Sequence, residues 1–421
     1  MSELKKGMTV HLTDGGTAVV ENELGRGGQG IVYAVKVGDK RMALKWYTIR
    51  TDDRFYDNLA ENIRNGSPSD VFLWPQHLTR KEYGSFGYIM KLRPEGYYEF
   101  TSYLRAQHSF DSYHAITVAA MEICEGFKAL HALGLSYQDL NDGNFFIDPK
   151  TGHVLIVDND NVYPHREKSG IMGKARFMAP EVVASQNPNA HSDKFSLAVI
   201  LFLLFCGNHP FEGARVAACP CLTEEYEKRF YGSEILFIYD PDDSSNRPVR
   251  GVHSNVLRHW PTLPGILRRT FITEFGKDRL LNPTRRLTEL QWQSVIMAVR
   301  DNLVICPHCG EETYIDGEKG CHCMNCRHSF DVPNIMQIES RRLALTKGNL
   351  LYIDRDEIPD VEVLQDKADK SMLLLKNISG TKWSVDTPSG RTKIVSPGEV
   401  MPVKKGLIVT FGSFNKKGTI L

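Results

Sequence analysis

The sequence predicts an α+β protein whose strand-rich start gives way to a helical middle, a cysteine knuckle and an all-β end. Three observations predict it. Short apolar runs separated by glycine turns fill residues 7–46. Apolar residues spaced by three and four mark 53–64 and 117–133, and a continuous apolar run follows at Phe195–Cys206. From Leu350 the pattern returns to short apolar runs, with turns at Pro388-Ser-Gly390 and Lys404-Lys-Gly406. The 421 residues suffice for two or three domains, and 24% charged with 42% hydrophobic residues is ordinary for a globular chain. Lys+Arg and Asp+Glu both number 51, so net charge supplies no attraction to nucleic acid or to an anionic membrane. The opening MSELKKGMTV has no apolar secretory core, and Phe195–Cys206 falls short of the ~20 residues that cross a bilayer. Five of nine cysteines cluster in Cys306–Cys326, which points to a reducing cytoplasm and a metal site rather than a disulfide framework.

The elements follow in order. Residues 7–24 read as short strands around a Thr-Asp-Gly-Gly turn. Gly25-Arg-Gly27-Gly28-Gln-Gly30-Ile-Val32 then forms G-x-G-x-x-G-x-V, whose backbone N–H groups approach phosphates with no Cβ in the way. A dinucleotide fingerprint needs a helix after the glycines. Here strand-like Ile31–Val37 and Arg41–Trp46 follow, so a β-hairpin lid is the expectation, with Met42-Ala43-Leu44-Lys45 on its second strand. Lys45 is a candidate for the α/β-phosphates. Asp53–Arg64 has helical spacing and carries Glu61, the candidate carboxylate to hold Lys45, with Asp57 as its rival. Gly87–Leu92 is an apolar strand, and Met90 within it is either core packing or the residue guarding an adenine pocket.

A helix over Thr117–Leu133, stopped by Gly134, leads into Ser136–Asp160. That stretch holds Asp139-x4-Asn144, then two short apolar runs around a turn, the second ending on Asp158. Asn144 and Asp158 supply hard oxygen ligands for Mg²⁺ or Mn²⁺, and Asp139 is a candidate base for an attacking hydroxyl. Downstream come Gly173-Lys-Ala-Arg-Phe-Met-Ala179-Pro180-Glu181, Asp193 before the apolar run, Gly207-Asn-His-Pro210-Phe211, and Asn282-Pro-Thr-Arg-Arg286.

Taken in this order, these motifs resemble the eukaryotic-type protein kinase superfamily over about residues 15–300. The resemblance implies a bilobal fold with an N-lobe at 1–92 and a C-lobe at 93–300. It also implies ATP as the phosphoryl donor, a protein substrate, and binding of the nucleotide by Gly25, Gly27, Gly28, Gly30, Val32, Ala43, Lys45, Glu61, Met90, Asn144 and Asp158. Asp193 is expected to brace the catalytic loop, and Arg286 to pair with Glu181. The chain departs from the pattern in three places. His-Arg-Asp is Tyr137-Gln138-Asp139, which removes the cation that would bind an activation-loop phosphate. The lysine after the catalytic aspartate is Asn141, and Lys174 is the candidate to supply its charge from across the cleft. Asp-Phe-Gly is Asp158-Asn159-Asp160, where Asp160 is either a second metal ligand or a turn residue.

Cys306-Pro-His-Cys309 and Cys323-Met-Asn-Cys326, with thirteen residues between the pairs, resemble a zinc ribbon over 303–332 with structural Zn²⁺ on four thiolates. Cys321 is an alternative to Cys323. Residues 333–345 read as a linker or short helix, and 346–421 as a small β-sandwich or barrel that serves interaction. Kinase, ribbon and β module in that order resemble the bacterial kinases found with a von Willebrand A protein and a Ser/Thr phosphatase in tellurite-resistance-type systems. The function expected is an atypical bacterial Ser/Thr protein kinase in stress signalling. A nucleotide-binding pseudokinase scaffold and a small-molecule phosphotransferase are the rival readings.

Overall fold

The computed structural model describes residues 3–165, 167, 173–315, 321–331, 334–353, 358–412 and 415–421. Its N-terminal part is a six-stranded antiparallel sheet in the order β1-β2-β3-β4-β6-β5. The strands are β1 (Thr9–His11), β2 (Thr17–Arg26), β3 (Gly30–Val37), β4 (Lys40–Tyr47), β5 (His77–Leu78) and β6 (Gly87–Lys91). Helix α1 (Asp53–Asn65) starts where the Asp52 carboxylate accepts the Phe55 N–H at 2.8 Å, and it ends at Gly66 with φ 80°. The sheet is apolar on both faces. Val10, Leu12, Ile31, Tyr33, Leu44 and Trp46 fill one side. Ala43, Tyr47, Tyr88 and Met90 pack with Phe55 and Leu59 of α1 on the other.

The second lobe is helical and built around Ala190–Cys206. Leucines, phenylalanines and valines surround that helix on every side, so it lies at the centre of the largest core. A capping box of Asn189 and Ser192 starts it and Gly207, at φ 68°, ends it. The helix Tyr113–Ala132 packs alongside, capped by the Ser112 hydroxyl. After it come the loop with Asp139 and the hairpin of Phe145–Ile147 with Val154–Ile156. Arg286 reaches Glu181 through two bonds of 2.7 Å with both side chains nearly buried, so Ala179-Pro180-Glu181 is tied to the lobe as the sequence implied.

Two short hairpins, Leu303–Ile305 with Glu312–Tyr314 and Cys321–His322 with Ser329–Phe330, form the cysteine knuckle. A β-sandwich follows. Its larger sheet has the order Arg341–Leu345, Asn334–Ile338, Lys416–Ile420, Ile408–Phe411, Trp383–Asp386, Thr392–Val395. The facing sheet has four strands, from Leu350–Leu351 through Val361–Gln365 and Leu373–Asn377 to Val400–Pro402. The expected linker or short helix at 333–345 is therefore corrected to a hairpin. Met336, Ile338, Leu343 and Leu345 enter the sandwich core, while Ile335 and Ala344 face the knuckle. Both faces are covered, so the apolar residues do not alternate and the period-two signal disappears.

The sandwich is fastened to the helical lobe by polar contacts. Arg341 makes two 2.7 Å bonds to Asp301 and donates to the carbonyls of Tyr352 and Ile353. The Arg300 guanidinium lies 4.0 Å over the Tyr352 ring, and the Tyr352 hydroxyl is 3.1 Å from His114 Nε2. Burial takes the His114 imidazole down to about 4, so this histidine stays neutral. The Asp301 side chain is 4% exposed, and removing Arg341 takes away the cation bonded to both of its carboxylate oxygens. We expect Arg341→Ala to destabilise the chain by about 3–5 kcal/mol, read as a lower urea midpoint. A midpoint within error of wild type would refute this docking.

Candidate active site and metal knuckle

Strand period makes the first placement. Met42, Leu44 and Trp46 point into the outer core of the sheet, while Ala43, Lys45 and Tyr47 face α1 and the cleft. In register, Val32 stands opposite Lys45 and Ala43 opposite Met90, so Val32, Ala43 and Met90 share the inner patch. A Cβ on Gly25, Gly27 or Gly28 would meet nothing within 4 Å, so there is free space beside the hairpin tip, although the Gly27 N–H is taken by the Gly30 carbonyl at 2.9 Å and Gly25 is paired with Val32. Gly30 differs: its Cβ would come within 2.3 Å of the Trp46 carbonyl, so glycine there is demanded by strand packing.

The loop carrying Asp139 is held from beneath. The Asp193 carboxylate accepts the N–H groups of Tyr137 at 2.6 Å and Gln138 at 3.1 Å. His131 bridges Asp193 and Glu289. Burial opposes its charge, but the two carboxylates outweigh that and lift the imidazole to about 9. Gln138, at φ 69°, turns its amide to the Ser136 hydroxyl and the Glu167 carbonyl. Asn141 donates to the carbonyl of Asp139 at 3.0 Å and to its carboxylate at 3.2 Å. Asn144 Oδ1 accepts the Asn141 N–H at 2.8 Å and keeps a second lone pair. Lys174 crosses from the activation segment to Asp142, 3.1 Å away, close enough for its charge to act on Asp139. Burial pushes the Asp139 carboxyl up to about 6; Asn141 and Lys174 pull against this, and the charges of Asp158 and Asp160 add to it.

Asp158 ends the hairpin strand in the left-handed region, φ 57°, with its side chain 47% exposed. It lies 3.1 Å from the Lys45 ammonium. Asp160 lies closer, with Oδ2 at 2.8 Å from Lys45 and 2.5 Å from the Tyr47 hydroxyl, and its side chain is fully buried. Lys45 thus meets two acids from the 158–160 turn, and the pairing expected with Glu61 is corrected. Helix phase explains the difference. Helix α1 buries Phe55, Leu59 and Asn62, and Glu61 and Asp57 fall outside that row and are exposed. The inner face of α1 offers amides instead, with Asn58 and Asn62 donating to the Val162 carbonyl at 2.9 Å each. Lys45, Asp139, Asn144, Asp158 and Lys174 are gathered around the cleft, Asp160 joins them as a partner of Lys45 rather than as the metal ligand or turn residue the sequence offered, and Tyr47 joins them unannounced. The available signal for Asp160 is the polar tetrad Asp158–Asn161 just after an apolar strand, and the sequence carries no comparable signal for Tyr47.

Residues 18–221 match the protein kinase domain family. Relatives bear that name too. A cAMP-dependent protein kinase, catalytic subunit-like, of Caenorhabditis briggsae is 29% identical over 38% of this chain and 40% of its own length. A probable cAMP-dependent protein kinase catalytic subunit of Encephalitozoon cuniculi is 32% identical over 30% of this chain and 39% of its own. Protein kinase C delta type of Rattus norvegicus is 32% identical over 25% of this chain and 16% of its own. The chain spans at most about two fifths of these relatives. The matched kinase domain contains Lys45, Asp139, Asn144, Asp158 and Lys174, while the knuckle and sandwich lie outside it.

In the knuckle, the sulfurs of Cys306, Cys309, Cys323 and Cys326 all lie within 4.8 Å of one another. Cys306 Sγ is 3.8 Å from Cys326 and Cys309 Sγ is 3.6 Å from Cys323. A tetrahedral Zn²⁺ with bonds of ~2.3 Å separates its sulfurs by about 3.8 Å, so the four thiols fit the ion. Burial opposes ionisation of Cys306, but the N–H groups of Cys309 and His308 outweigh it and take the thiol down to about 7. Cys321 stands apart, packed with Val304, Ile315, Ile335 and Ala344. No helix among the described residues is long and apolar enough to cross a membrane. Metal analysis is expected to give one zinc per chain, and Cys309→Ser or a strong chelator to lower the melting temperature. A zinc-free chain of unchanged stability would exclude the structural ion.

Proposed function

We propose that this chain is an ATP-dependent protein kinase that transfers the γ-phosphoryl group to Ser/Thr hydroxyls of a protein. The observation that carries this reading is the convergence of Asp139, Asp158 and Lys45 beneath an open glycine hairpin, beside an Ala-Pro-Glu segment braced by Arg286. Lys45 would take the α/β-phosphates, and Gly25, Gly27 and Gly28 the chain of phosphates above. Asn144 and Asp158 would hold Mg²⁺ or Mn²⁺, which would neutralise phosphate charge there. Asp139 accepts the hydroxyl proton as the oxygen bonds to Pγ and the bond from Pγ to the ADP oxygen breaks. Lys174, on the opposite wall beside Asp142, would offset charge on the transferring group in place of the lysine that Asn141 replaces.

Gln138 supplies no cation for a phosphorylated loop, and its amide is already engaged. This supports activity without loop phosphorylation. Free buried thiols at Cys124 and Cys206 support a reducing cytoplasm. The sandwich, which carries no catalytic cluster among its described residues, would serve contacts with other proteins. The von Willebrand A protein, the Ser/Thr phosphatase and a role in stress signalling rest on domain order alone.

Label transfer from ATP with Mg²⁺ or Mn²⁺ to a protein substrate is expected for wild type and is lost in Asp139→Asn. Nucleotide-dependent stabilisation without any transfer would replace this reading by a nucleotide-binding scaffold. Asp139 acts ionised, so kcat/KM should fall about tenfold per unit of pH below about 6 and level off above it. Lys174→Ala is expected to lower kcat by about 10–100-fold, with little change in KM for ATP. It should also move the pH midpoint upward, because the lysine charge favours the Asp139 carboxylate. An unchanged kcat would exclude Lys174 from the transfer.

A further inference from the structure

Lys45 sits on the inner face of the sheet with only 6% of its surface exposed, so its ammonium needs a fixed counter-charge. Two acids offer one, and they differ in freedom. Asp158 is half exposed and faces the cleft where a metal–nucleotide complex would enter. Asp160 is completely buried, and one oxygen is held both by Lys45 at 2.8 Å and by the Tyr47 hydroxyl at 2.5 Å. Tyr47 is itself wholly enclosed, packed against Phe55 and Phe86. It therefore fixes the Asp160 carboxylate from the sheet side. A ligand in the cleft can draw Asp158 away from Lys45, but it cannot reach Asp160.

We propose that Asp160, locked by Tyr47, is the positioning residue that keeps Lys45 in reach of the nucleotide phosphates, in place of a carboxylate on α1. This rests on the reading of Lys45 as the phosphate-binding lysine. The division of labour follows from the geometry. Asp158 is released to the metal, and Asp160 remains with the lysine throughout. Because Asp160 belongs to the same short turn as Asp158, the lysine is set by the hairpin of the helical lobe. The phase of α1 then does not gate the site, and Glu61 stays in solvent.

The test is a double-mutant cycle read by calorimetric binding of MgADP to the full chain, which needs no turnover. Lys45→Met and Asp160→Asn are each expected to weaken MgADP about tenfold or more. The double variant should be no weaker than Lys45→Met, because Asp160 acts only through the lysine. Glu61→Gln should bind within twofold of wild type. Melting curves without nucleotide confirm that each variant is folded, and Tyr47→Phe gives a milder probe that should weaken binding in the same direction. The proposal is overturned if Asp160→Asn binds as wild type, or if it weakens Lys45→Met by a further equal factor. It is also overturned if Glu61→Gln is the variant that loses affinity. A wild-type chain that binds no MgADP would instead remove the nucleotide-binding reading itself, and the proposal with it.

Discussion

Burying the ammonium of Lys45 is the constraint on which the site depends. An unpaired buried charge costs several kcal/mol, so the chain must bring carboxylates to it. They come from residues 158 and 160, more than a hundred positions away. Meeting that need ties the sheet to the hairpin of the helical lobe. It also explains why Asp158 adopts a left-handed backbone, since that turn lets two acids two residues apart approach one cation. Burial disfavours the lysine charge, but Asp160 and Asp158 together outweigh it and hold Lys45 protonated.

A second buried network performs the same service for the loop that carries Asp139. Asp193 opens the central helix and takes two backbone N–H groups of the loop before Asp139, while His131 joins it to Glu289. Charges there are satisfied by several partners at once, the condition under which buried polar groups add rigidity. The helix that starts at Glu289 ends at Asp301, the anchor for Arg341 of the sandwich. The loop of Asp139, the central helix and the C-terminal module are thus connected through side chains that are nearly all enclosed. The knuckle packs on the adjoining hairpin through Val304, Ile315, Cys321, Ile335 and Ala344.

The residue types that bear chemistry were legible because their spacing is local. The glycine hairpin, Lys45 on a strand, Asp139-x4-Asn144, Asp158 and the paired C-x-x-C turns each depend on backbone geometry within a few residues. Arg286 with Glu181 was legible only through the family resemblance, and Asp193 likewise. The failures have a common cause. Helical spacing places Glu61 on α1, but which face of α1 turns inward is decided by the packing of Phe55, Leu59 and Asn62. The strands at Asn334–Ile338 and Arg341–Leu345 went unseen because both of their faces are covered, and Lys416–Ile420 because its pattern is short and polar.

By itself, then, the sequence determined the order of most elements, the kinase-like motifs and the paired C-x-x-C turns, since these rest on local turns and on chemical type. Tertiary structure decided which acid holds Lys45, that Cys323 rather than Cys321 joins the sulfur cluster, and how the sandwich is seated on the helical lobe. Those outcomes depend on residues far apart in the chain meeting at van der Waals distance, and on which of several chemically equal groups the packing leaves buried. Periodicity carries neither kind of information, because it describes a face and not what covers it.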